Sequence, residues 1–210
     1  MPFTALLDAC VLYPVGIRDT LLTVAETGLY RPVWSAHILD ETRRNILADL
    51  PDLHPDQLDR TFNAMHRAFP DAIVTGYEAL TTVMINHPKD RHVLAAAVTG
   101  GAQVIVTYNQ RDFPPAACDP YRIDVLHPDE FLDYALELNP ETVITAIAYQ
   151  AHKRHHPPAT TGQLLTTLYA RGLPQFTTSI RTYLARTHPH EPWLQPLPLT
   201  DISIGTELTD

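Results

Sequence analysis

Apolar positions fall in short runs near the start of the chain and in helical spacing between them. Residues 3–9, FTALLDA, form a largely apolar run interrupted by Asp8, which predicts a buried strand with Asp8 at its carboxyl end. Pro14 and Gly16 interrupt the chain before an amphipathic helix over 17–27, with Leu21, Leu22 and Val24 on its apolar side and Gly28 as its stop. YRPVW, 30–34, predicts a second strand ending at Ser35, a side chain suited to cap the next helix. That helix covers 36–50 and ends at Pro51, and a further helix begins at Pro55 and runs to 69. AIVTG, 72–76, predicts a third short strand.

Pro88 then precedes a helix of small residues that the pair Gly100-Gly101 terminates. QVIVT, 103–107, and RIDVL, 122–126, predict two more strands, and a helix starts near Pro128. Strands thus alternate with helices as far as residue 138, the pattern of an α/β/α sandwich around a central parallel sheet. Beyond Asn139-Pro140 the strands stop. Three short helices separated by prolines follow, over 140–156, 160–173 and 174–187, and then a proline-rich stretch, 189–199. The organisation predicted is an α/β domain over 1–138 and a small all-helical extension over 139–210.

Charge and cysteine content narrow the possibilities. Two cysteines, Cys10 and Cys118, cannot form a disulfide framework and lack zinc-site spacing. The opening segment has no basic region and carries Asp8, unlike a signal peptide, and no run approaches a membrane span, so a soluble cytoplasmic protein is expected. A net charge of −9 is unusual for a nucleic-acid binder, yet it suits a chain that gathers carboxylates around a cation.

Four acids stand out by position. Asp8 ends the first strand, and Asp112 lies just beyond the strand at 103–107. Open parallel sheets collect ligands at the carboxyl ends of their strands, so both open onto one crevice. Glu41 lies in the first turns of its helix and Asp90 follows Pro88, both near that same edge. Converging carboxylates repel one another, and a hard divalent cation such as Mg²⁺ or Mn²⁺ resolves the conflict. Such a centre activates water toward a phosphodiester. Each acid also has a plain structural alternative: Asp8 as a loop acid at a strand end, Glu41 paired with Arg44 or Asn45, Asp90 as a helix cap, Asp112 as the brace of its own turn.

LLDACVL, ILDETRRNI, KDRHVLAAAV and VTYNQRDF, in this order, resemble the four acidic motifs of the PIN-domain nucleases, over about residues 3–138. The resemblance implies a parallel sheet flanked by helices and metal-dependent hydrolysis of RNA. It makes Asp8, Glu41, Asp90 and Asp112 the catalytic, metal-binding quartet: Asp8, Asp90 and Asp112 holding one or two Mg²⁺ (or Mn²⁺), Glu41 joining them or orienting the water. Thr107 and Asn109 match polar positions of the last motif, although many relatives have Asp where Asn109 stands. Cys10 occupies a place often held by Asn, Ser or Thr and reads as a small buried residue.

Among PIN proteins the chain is most similar to the VapC ribonuclease toxins of type II toxin–antitoxin systems. Their partner is a small antitoxin, and members often form homodimers. The helical extension resembles the C-terminal domain of a longer VapC subgroup. Arg43, Arg44, Lys89, Arg91 and Arg111 flank the acids and are candidates to grip RNA phosphates, Arg43 and Arg111 foremost. A second basic run, 153–156, reads either as an RNA contact or as the cationic end of a helix. Two alternatives remain: a non-catalytic PIN-fold binding module, and a PIN nuclease of RNA processing or DNA that has no antitoxin. Phosphatase, phospho-receiver and nucleotide-loop signatures are absent.

Overall fold

A computed structural model describes residues 2–153 and 159–187. The chain opens with β1 (Phe3–Leu7), the one-turn α1 (Ala9–Leu12) and α2 (Val15–Glu26), then β2 (Tyr30–Ser35), α3 (Ala36–Asp49) and α4 (Pro55–Ala68). β3 (Ile73–Val74), the short α5 (Glu78–Thr81), α6 (Arg91–Thr99), β4 (Val104–Val106), α7 (Pro115–Cys118) and β5 (Asp124–Leu126) follow. α8 (Pro128–Leu138), α9 (Pro140–His152), α10 (Thr161–Ala170) and α11 (Pro174–Thr187) complete the described residues. None of these helices is long and apolar enough to cross a membrane.

The five strands form one all-parallel sheet in the order β3-β2-β1-β4-β5. The order reverses between β1 and β4, so the carboxyl ends of these two strands flank the crevice where such sheets place their ligands. Leu6 lies opposite both Val33 and Ile105, which makes β1 the buried centre of the sheet. Pro32 sits inside β2 without breaking a ladder. The amide of Trp34 points to Ala72, so Pro32 faces that same side, where β3 does not reach.

Local signals account for most element ends. The Ser35 hydroxyl accepts the Ile38 amide and starts α3 at the expected residue. Gly101, at φ +64, closes α6 in a Schellman turn: its amide reaches Val98 and that of Ala102 reaches Ala97. Gly100 is needed for a different reason, since a Cβ there would lie 2.8 Å from Val74.

Among its described residues the extension has three helices, as the pattern predicts. Asn139 ends α8 and its side chain accepts the Thr142 amide to begin α9, with Pro140 in the first turn. Asp129 in α8 accepts the amides of Gln175 and Phe176, both at 2.9 Å, and so caps α11 from another helix. Phe131 of α8 meets Tyr30 edge to face at 4.8 Å, and apolar residues of the sheet layer and the extension form one contiguous core. The basic run beyond Lys153 and the proline-rich stretch 189–199 lie outside the described residues.

Candidate active site

Asp8 is the first residue past β1, and its amide still bonds to Val106 of β4. Its carboxylate, only 4% exposed, has donors on both oxygens. Oδ1 accepts the Ala9 amide at 2.7 Å, while Oδ2 accepts the Thr107 hydroxyl at 2.7 Å and the Cys10 thiol at 3.3 Å. Thr107 in turn accepts the Asn109 amide, which turns its hydrogen toward Asp8. Cys10 accepts the Tyr108 amide. Burial pushes the Cys10 thiol up to about 12, so it stays protonated and serves as a donor rather than a nucleophile. Burial also raises the Asp8 carboxyl above its ordinary range, outweighing its three donors, with the charge of Asp112 adding to the rise.

The other three acids approach from separate elements. Glu41 projects from the second turn of α3, half-buried. Asp90 ends a single 3₁₀ turn, Pro88–Asp90, ahead of α6, and its side chain caps nothing, which removes the capping alternative. Asp112 closes a second 3₁₀ turn, Gln110–Asp112, after β4. Glu41 is raised by burial, then by the charges of Asp8 and Asp90, with His37 and Arg44 partly offsetting them. Asp90 is raised by burial, then by Asp8 and Asp112. Each of the four thus lies in the field of others of the set, and among the described residues no lysine or arginine forms an ion pair with any of them.

Two histidines complete the pocket. The His87 amide donates to the Asp112 carbonyl at 3.0 Å, and the Asp90 amide donates to the His87 carbonyl at 2.9 Å. These bonds bring a His87 ring nitrogen and one oxygen each of Asp90 and Asp112 within 4.8 Å of one another. His87 is not among the residues that the sequence singles out. The signal that could have promoted it is H-P-x-D, which turns residues three apart onto one side of a proline-initiated turn. His92 is buried against His37, ring centroids 3.8 Å apart, and burial lowers it to about 4. It is neutral at pH 7, so its 3.7 Å approach to Glu41 is not an ion pair.

Carboxylate oxygens gathered with no lysine or arginine ion-paired to them among the described residues are the donor set of a hard divalent ion, and these partly buried carboxylates fit one. Asp8, Glu41, Asp90 and Asp112 carry the charge such an ion would neutralise.

The basic residues are disposed unevenly. Arg43 pairs with Asp59 of α4. Arg91 reaches the Asn86 carbonyl. Arg44, Lys89 and Arg111 are exposed, as is Asn109, whose amide serves Thr107.

The family described as PIN domain matches residues 4–111, more than half of the chain, a span that holds Asp8, Glu41 and Asp90 and stops beside Asp112. The family described as VapC50 C-terminal domain matches residues 128–182, from α8 into α11. A curated protein of Mycobacterium tuberculosis, described as "Putative ribonuclease VapC50", is 44% identical over 110 residues. That alignment takes in 52% of this chain and 64% of the relative's length. No solved structure matches.

Proposed function

The chain belongs to the PIN-domain family, and from that premise we propose that it is a metal-dependent endoribonuclease, the toxin of a toxin–antitoxin pair. The observation that carries the reading is the meeting of Asp90, Asp112 and His87 ligand atoms within 4.8 Å, with Asp8 and Glu41 in the electrostatic field of these acids and, among the described residues, no lysine or arginine ion-paired to any of the four. In this reading Asp8, Asp90 and Asp112 hold one or two Mg²⁺ or Mn²⁺, and Glu41 joins them or orients the attacking water. A bound divalent ion supplies a lowered water pKa and charge stabilisation at the phosphate. Thr107 and Cys10 keep the Asp8 carboxylate oriented. Water adds to phosphorus as the bond to the leaving sugar oxygen breaks, and Arg44, Lys89, Arg91 and Arg111 hold flanking phosphates.

The name of the Mycobacterium tuberculosis relative and the match of residues 128–182 support a VapC-type role, with a small antitoxin as partner and the cytoplasm as site of action. We keep the division at residue 139 and a homodimer as parts of the same proposal. The test is incubation of bacterial RNA with purified wild type and Asp8→Asn, with Mg²⁺ or Mn²⁺ and with EDTA. Discrete products that need metal and vanish in the variant are expected. Equal silence of two folded proteins would overturn the nuclease and favour a binding module.

A further inference from the structure

The four acids offer only oxygen, but the pocket's edge offers nitrogen. His87 is fixed to both neighbouring acids through the main chain: its amide donates to Asp112 and its carbonyl accepts from Asp90. Pro88 follows it and begins the 3₁₀ turn, so the His87 backbone is held beside both acids. Nδ1 lies 3.2 Å from Asp90 Oδ2. Donors on one octahedral ion at about 2.1 Å lie about 3 Å apart when adjacent and about 4.2 Å apart when opposite. The His87–Asp90 separation is that of adjacent ligands. The full set of three, within 4.8 Å, needs to tighten by only a few tenths of an ångström. A hydrogen bond from His87 to Asp90 would explain the first distance. It would not explain why an Asp112 oxygen also lies within 4.8 Å of a His87 ring nitrogen.

We propose that His87 is a nitrogen ligand of the metal centre and biases it toward a first-row transition ion over Mg²⁺. The inference rests on the metal-nuclease reading and adds the donor that sets its metal preference. Mg²⁺ demands oxygen and sheds its water reluctantly, whereas an imidazole nitrogen suits the later ions. His87 contributes no charge, so it raises selectivity without adding to the repulsion among the acids.

The test uses the full-length protein loaded with Mn²⁺ and reads nitrogen coupling to the ion by pulsed electron paramagnetic resonance. Wild type, His87→Asp and His87→Gln are compared, each checked for fold by circular dichroism. A nitrogen coupling in wild type that both variants lose is expected. In Co²⁺/Mg²⁺ competition, His87→Asp should lower the preference for Co²⁺ by about tenfold. Wild type that binds Mn²⁺ without nitrogen coupling, or a coupling that survives in His87→Asp, overturns the assignment while leaving the metal centre intact. Wild type that binds no Mn²⁺ overturns the metal-nuclease reading as well.

Discussion

Thr107 donates its hydroxyl hydrogen to Asp8 at 2.7 Å, joining the ends of two adjacent strands across 99 residues of sequence. The Asn109 amide fixes the direction of that hydrogen, so the bond favours the ionised carboxylate. Because Thr107 is fully buried, nothing else can replace the donor.

Thr107→Val should therefore destabilise the protein by about 1–3 kcal/mol at pH 7. The deficit should shrink in acid, where Asp8 becomes protonated and no longer needs the donor. Urea denaturation at the two pH values checks this.

Asp8, Glu41 and Asp90 are all raised above their ordinary values, chiefly by burial. The folded state then binds more protons than the unfolded state, and stability falls as pH rises from the ordinary carboxylate range through the raised values. In EDTA, Asp8→Asn should escape part of this loss, so its stability relative to wild type should climb with pH. Mn²⁺ at a hundred times its Kd should reverse the order, stabilising wild type by about 2.7 kcal/mol and the variant far less. Thermal melts over a pH series, with and without metal, read both effects.

What the sequence made legible was local. Ser35, Pro55, Pro140 and the Gly100-Gly101 pair act on their own turn of chain, and each stops or starts an element where expected. Asp8 and Asp112 were legible through topology, since strand ends in a parallel sheet share an edge. The four-residue helices α1, α5 and α7 were not anticipated, because one turn carries no periodicity. Nor could sequence show the bond from His87 to Asp112, which joins two loops through the backbone. Arg43 and Asp59 meet because α3 packs against α4, so their pairing is a tertiary fact.

That pairing separates two of the basic residues. Arg111 is exposed, while Arg43 is already engaged by Asp59. Arg111→Ala should weaken RNA binding and reduce its salt slope by about one. Arg43→Ala should change RNA binding less and cost at most about 1 kcal/mol of stability, as a surface pair does. Salt titrations of binding, in EDTA to prevent cleavage, compare the two directly.

Asp129 has a structural task separate from that of the four acids. Its two bonds to the amides of Gln175 and Phe176 tie α11 to α8. Asp129→Ala should cost about 2 kcal/mol, the loss of a strong helix cap. Mn²⁺ affinity should be unchanged, and calorimetry alongside denaturation would show both.

The central claim is that the four carboxylates work as one centre. Its most direct test is the single-turnover cleavage rate of one defined RNA by Asp8→Asn, Glu41→Gln, Asp90→Asn and Asp112→Asn, each shown to be folded. Every variant should fall by about a hundredfold or more, since each removes charge from the same site. Near wild-type rates in Asp90→Asn and Asp112→Asn would contradict a shared centre.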